Sequence, residues 1–76
     1  MKDDKKEVLE KFGAYVRQIR NDKGITMLEV EVATGISEGS ISKIENGKKN
    51  PALTTIIKLA KGLSVAPSDL LSLFDK

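Results

Sequence analysis

Residues 26–50, TMLEVEVATGISEGSISKIENGKKN, constrain this chain more than any other stretch. Thr26 has the side chain of an N-cap, and Glu29 three positions later completes a capping box, so a short helix is predicted over 27–34. Gly35 stands where a chain leaving a helix needs positive φ to turn the corner. Ser37 is a second N-cap and Gly47 a natural C′ residue, which places a second short helix over 38–46. Two short helices joined by a three- to four-residue turn containing glycine form a helix-turn-helix arrangement.

Helical periodicity continues on both sides. Val8, Phe12, Tyr15, Val16 and Ile19 make one apolar stripe and predict a helix over 7–23, closed by Gly24. Gly13 inside it costs about 1 kcal/mol relative to Ala and suits a close helix approach. Leu53, Ile56, Ile57, Ala60 and Leu63 are the expected inner stripe of a helix over 52–63, with Pro51 as an early helical residue. The order Gly62-Leu63-Ser64 predicts a weak C-cap there. Leu70, Leu71, Leu73 and Phe74 are dense for a last helix over 67–74; some close the core and all four cannot face it. In the 27–34 helix, Val30, Ala33 and Thr34 are the expected inner face, with Leu28 and Val32 at the surface. The fold class is all-α: a compact bundle of five short helices with the helix-turn-helix at its centre. The expected organisation is a flexible, charged N-terminal tail over 1–6 and a single domain over 7–76.

Composition narrows the function. With 76 residues the chain is one small domain whose core is marginal alone, a size at which dimerisation often adds stability. There is no Cys, hence no disulfide and no thiolate metal site, and no His, which removes the usual general base and metal ligand. No catalytic constellation and no glycine-rich phosphate loop appear, so neither an enzyme nor a cofactor is expected. No apolar run approaches the roughly 20 residues that span a bilayer, and the charged N-terminus has no apolar run of a secretory signal behind it. A cytoplasmic protein is the default. The net charge of +2 permits nucleic-acid binding without arguing for it.

The residues Gly35-Ile36-Ser37, then Ile41-Ser42-Lys43-Ile44-Glu45-Asn46-Gly47, then Asn50-Pro51 resemble the phage repressor/Cro family, also called the XRE family, whose fold is lambda-repressor-like. The resemblance covers residues 12 to 74. It implies a double-stranded DNA-binding regulator, and it makes the 38–46 helix the one that enters the major groove. It also implies that Arg20 reaches Glu45 as a structural ion pair, and that the last helix meets its mate across a two-fold axis. Helix 27–34 departs from the family pattern Gln-x-x-Leu-Ala, reading Met27-Leu28-Glu29-Val30-Glu31. Met27 has no side-chain amide for a phosphate, which leaves its backbone N–H. Glu31 replaces an alanine that packs closely, so it must point outward or find a base.

On the 38–46 helix, Gly39, Ser42, Lys43 and Asn46 recur at i, i+3, i+4, i+7 and share one small, polar, basic face. Glu38, Gly39, Ser42 and Lys43 are the candidate base-contacting residues. Glu38 complements the helix dipole and also has the chemistry to accept from a cytosine amino group; serine bonds almost any base, and lysine donates to guanine. Met27, Ser40, Asn46, Lys48, Lys49 and Asn50 are the candidate phosphate contacts, which set register without reading sequence. Arg17 lies on the same flank as Arg20 and is open to solvent, phosphate or internal pairing. Leu73 and Phe74 are the candidate dimer contacts.

The expectation is a sequence-specific, homodimeric repressor of autoregulator or controller type on a short inverted-repeat operator. The alternative is a protein-interaction module on the same fold, antitoxin-like or bridging, with weak DNA binding and a protein partner. Met27, Glu31, Gly39 and the low net charge favour that alternative.

Overall fold

The computed structural model describes residues 4–75. Asp4 opens the first helix: its carboxylate accepts from the Lys6 N–H at 3.1 Å and caps α1, Lys5–Asp22. The helix starts at Lys5 rather than at residue 7. Of the expected tail, residues 1–3 lie outside the described residues, Asp4 is the cap, and Lys5 and Lys6 are helical. At the far end Gly24 takes φ +68, and the Ile25 N–H donates to the Arg20 carbonyl at 3.0 Å, which closes the last turn.

The second helix, α2, is Met27–Thr34, and its capping box is complete: Glu29 N–H donates to Thr26 Oγ1 at 3.0 Å, and Thr26 N–H to Glu29 Oε1 at 2.8 Å. The third, α3, is Glu38–Glu45, capped by Ser37 Oγ, which accepts from the Ser40 N–H. Asn46 is its C-cap rather than its last residue. Thr34 shapes the turn between them. Its hydroxyl donates to the Val30 carbonyl at 2.7 Å and accepts from the Ile36 N–H at 3.1 Å, while Gly35 takes φ +80.

The fourth helix, α4, is Leu53–Gly62. Pro51 is buried ahead of it and Ala52 is its N-cap, so the proline anchors the loop and is not an early helical residue. The fifth, α5, is Pro67–Leu71, followed by a 3-10 turn over Ser72–Phe74 where one continuous helix was expected. Ser72 explains the change: its hydroxyl donates to the Asp69 carbonyl at 2.8 Å, a local bond that competes with regular helix.

All five helices supply the core. Phe12 and Val16 come from α1, Val30 from α2, Ile41 and Ile44 from α3, Leu59 and Ala60 from α4, and Leu70 from α5, with Leu63 at the C-cap of α4. Val8, Tyr15 and Ile19 are half-buried. The inner stripe of α4 differs from the expectation. Ile56, Leu59, Ala60 and Leu63 face in, whereas Leu53 is 68% exposed and Ile57 43%. Both stripes are apolar and both fit the helical period, so periodicity alone cannot choose between them. Ala33 is exposed rather than inward, as are Leu28 and Val32.

Two glycines mark close approaches. A Cβ on Gly13 would stand 2.2 Å from the Ile44 carbonyl oxygen, so α1 lies directly on the backbone of α3. A Cβ on Gly62 would stand 2.6 Å from Thr34 Cγ2, where α4 meets α2. Gly62 therefore serves packing, and the left-handed position after α4 falls to Ser64, at φ +59.

Candidate nucleic-acid interface

Ile41 and Ile44 bury one side of α3 completely, and this decides what its other side can present. Gly39, Lys43 and Asn46 are exposed and Ser42 is half-exposed, so the four share an outward face free of large apolar groups. Glu38 is exposed at the first turn. Lys48, Lys49 and Asn50 follow in an exposed loop. Lys49 folds back on the helix, with Nζ donating to Ser40 Oγ at 3.3 Å, and Ser37 Oγ also donates to Ser40 at 3.1 Å. Two of the candidate phosphate contacts, Ser40 and Lys49, thus lie side by side at the N-terminal half of α3.

Met27 is half-buried and its side chain packs against the core, which leaves its backbone N–H in the first turn of α2 as its polar group. Glu31 finds a partner that its position in the sequence does not announce. Its Oε1 accepts from the Glu38 N–H at 3.0 Å, so a side chain of α2 caps α3. The helix-turn-helix is therefore closed by two side-chain caps at the start of its second helix, Ser37 and Glu31. No sequence pattern pointed to this bond, because the geometry of the turn alone brings residues 31 and 38 together.

Behind α3 lies an ion-pair cluster. The Glu45 side chain has no exposed surface. Arg20 donates to it through Nε to Oε2 at 2.7 Å and through Nη2 to Oε1 at 3.0 Å, while Nη1 donates to the Ile25 carbonyl at 3.0 Å. These bonds, reinforced by the carboxylate's charge and opposed by burial, hold the Arg20 guanidinium protonated above its ordinary range. Arg17 donates to the same carboxylate through Nε at 3.3 Å, and through Nη2 to Asn46 Oδ1. Among the described residues no buried side-chain polar atom lacks a partner. With Glu45 enclosed by two arginines, the outward surface of α3 and its loop carries Lys43, Lys48 and Lys49 against the acid of Glu38. Local charge is more favourable to an anion than the net charge of the chain suggests.

At the C-terminus Leu73 is half-buried and Phe74 is 38% exposed. Tyr15 Oη and Ser72 Oγ lie 3.4 Å apart and link α1 to the final turn. Among the described residues no helix is long and apolar enough to cross a membrane, and no group of three or more acidic side chains is placed to hold a metal ion.

This geometry agrees with what the chain resembles among known proteins. Residues 16–70 match the helix-turn-helix family model HTH_3. The chain belongs to this helix-turn-helix family. It is 34% identical over 64 residues to the HTH-type transcriptional regulator y4dJ of Sinorhizobium fredii, covering 84% of this chain and 83% of that one. It is 38% identical over 58 residues to the HTH-type transcriptional repressor RghR of Bacillus subtilis, covering 75% of this chain but 43% of RghR. The crystal structure of the restriction-modification controller protein C.AhdI from Aeromonas hydrophila superposes with a TM-score of 0.80 at 32% identity, covering 83% of this chain and 96% of that one. As a helix-turn-helix protein of transcriptional-regulator type, the chain has α2 and α3 as its two signature helices, and Glu45 and Asn46 close the second.

Proposed function

We propose that this protein is a sequence-specific double-stranded DNA-binding regulator that acts as a homodimeric repressor of autoregulator or controller type. The observation that carries the reading is the exposed face of α3. Gly39, Ser42, Lys43 and Asn46 stand clear of the core on a helix whose opposite side is fully buried, with a lysine loop beside it. A helix with such a face fits the major groove, Glu38, Gly39, Ser42 and Lys43 meeting base edges. Met27, Ser40, Asn46, Lys48, Lys49 and Asn50 would hold phosphates. RghR is named a repressor and C.AhdI a controller protein, and the likeness to both supports this reading.

Dimerisation would bring two copies of α3 into successive major grooves about 34 Å apart. Leu73 and Phe74 are the proposed contacts, and Phe74 offers an aromatic surface at the end of the chain. Occupation of an operator overlapping a promoter would then block transcription sterically.

A second reading is supported by Leu28 and Val32. They lie one turn apart on α2, with Val32 80% exposed, and such a pair suits a protein partner.

Selection of bound duplexes from a random pool at physiological salt tests the choice. An enriched inverted repeat with half-sites about one helical turn apart supports the dimeric regulator. No enrichment, with binding that vanishes as salt rises, favours the interaction module. Sedimentation of Leu73→Glu and Phe74→Glu tests the dimer surface: dissociation is expected, and an unchanged oligomer in both rules that surface out.

A further inference from the structure

Arg17 connects the buried ion-pair cluster to the exposed face of α3. Its Nε donates to Glu45 Oε1 at 3.3 Å, and its Nη2 donates to Asn46 Oδ1. A guanidinium offers donors only. Asn46 must therefore turn its carbonyl oxygen to Arg17, which directs its amide nitrogen the other way. There Nδ2 donates to Ser42 Oγ at 3.4 Å, one turn back along α3. Accepting this bond occupies a lone pair of Ser42 and leaves the hydroxyl proton for another acceptor. Among the described residues no protein group accepts that proton, and the second Nδ2 proton of Asn46 is equally uncommitted.

We infer that Arg17 is a positioning residue for base readout: through Asn46 it orients the polar groups of α3, so that Ser42 and Asn46 turn their free protons towards DNA and favour acceptors there. The inference rests on the DNA-binding reading above. It goes further by giving a sign to the contact. A serine left to itself bonds almost any base, because it donates and accepts equally well. A serine with one of its two lone pairs already taken donates its free proton to purine N7, guanine O6 or thymine O4 more readily than it accepts from a cytosine or adenine amino group. Asn46, whose carbonyl is turned to Arg17, directs its N–H groups outward, where they suit phosphate oxygens. The anchored end of the relay is firm, since Glu45 is fully enclosed and Arg20 holds it by two further bonds. The Arg17 side chain itself is 44% exposed, so its replacement does not open the core.

Two measurements on the full chain test this. The first is NMR of the Asn46 side-chain amide without DNA, in the wild type, Arg17→Met and Arg17→Lys. Protected, well-separated amide protons are expected in the wild type and in Arg17→Lys, which keeps a donor, and free-amide behaviour in Arg17→Met. The second is duplex selection with the same proteins and with Ser42→Ala. At one operator position the wild type should disfavour cytosine on the contacted strand, the one base with no major-groove acceptor, and Ser42→Ala should lose that preference. Arg17→Met should weaken it by about fivefold, the worth of one hydrogen bond, Arg17→Lys should restore it, and Arg17→Met with Ser42→Ala should be no worse than Ser42→Ala alone. Wild-type Asn46 protons that exchange freely, or that Arg17→Met leaves unchanged, overturn the relay. Uniform loss of affinity in Arg17→Met, with base preference intact, overturns the readout role and makes Arg17 a phosphate contact. A wild type that selects no duplex defeats the DNA-binding reading and the readout role with it, while the amide signal still reports whether the relay exists.

Discussion

Arg20 grips Glu45 across the junction of the first and third helices, with Nε on one carboxylate oxygen at 2.7 Å and Nη2 on the other at 3.0 Å. The pairing is two-pronged, which suits a planar guanidinium against a planar carboxylate. Its value lies less in net attraction than in what its loss would leave behind. Glu45 has no water to fall back on, and an uncompensated buried carboxylate is costly.

Arg20→Met should therefore destabilise the fold by about 3 kcal/mol, the lower end of the range for breaking a buried pair, because Arg17 still donates to Glu45. Urea unfolding checks it, and a loss below about 1 kcal/mol, the scale of an exposed pair, would contradict it. The pH dependence has a definite sign. A raised pKa contributes stability that is fully present below the ordinary arginine range and is lost only as pH climbs above it. Shifts of pH near neutrality should leave this contribution unchanged.

Gly13→Ala sets two effects against each other. Alanine improves helix propensity by about 1 kcal/mol. Its Cβ would press on the Ile44 carbonyl at 2.2 Å and the Glu45 carbonyl at 2.6 Å, both backbone atoms that cannot step aside. Overpacking of this kind typically costs about 1–3 kcal/mol and occasionally more, so net destabilisation is expected. A lowered denaturation midpoint would bear this out, and a raised one would mean that the first and third helices separate easily.

Ser64→Gly should do the opposite. Ser64 holds φ +59 after the fourth helix, where the Val65 N–H closes onto the Ala60 carbonyl at 2.9 Å. A left-handed conformation costs a residue with a Cβ about 1–2 kcal/mol, partly offset by glycine's freedom in the unfolded chain. A gain of about 0.5–1 kcal/mol is expected in thermal or urea unfolding. No gain would show that the serine sits there without strain.

Lys43 and Lys48 separate reading from holding. Lys43→Ala should change base preference at one operator position, whereas Lys48→Ala should weaken all duplexes alike and lower the salt slope by about one. Titrations at several salt concentrations with the selected duplex and its point variants distinguish them. Uniform loss in both variants would mean that the third helix does not read bases through Lys43.

The central motif was legible in the residues because its signals are local. Thr26 with Glu29, Ser37, Gly35 and Gly47 each act within a few positions of themselves, so cap and turn chemistry place α2 and α3 without reference to the rest of the chain. The all-helical class and most of the core followed from apolar spacing in the same way. Tertiary structure alone decided what depends on which neighbour a helix meets. Leu53 and Ile57 fit the helical period as well as Leu59 does, yet only Leu59 faces the other helices. Gly62 is near the end of α4 and would suit a cap, but Thr34 lies against it, and the cap passes to Ser64. Glu31 looks misplaced until the turn carries it to the Glu38 N–H, and Arg17 stays open to solvent, phosphate or internal pairing until Glu45 and Asn46 meet it from α3. Caps and periodicity are written over a few residues, while burial, close approach and long-range hydrogen bonds arise only when separate segments pack together.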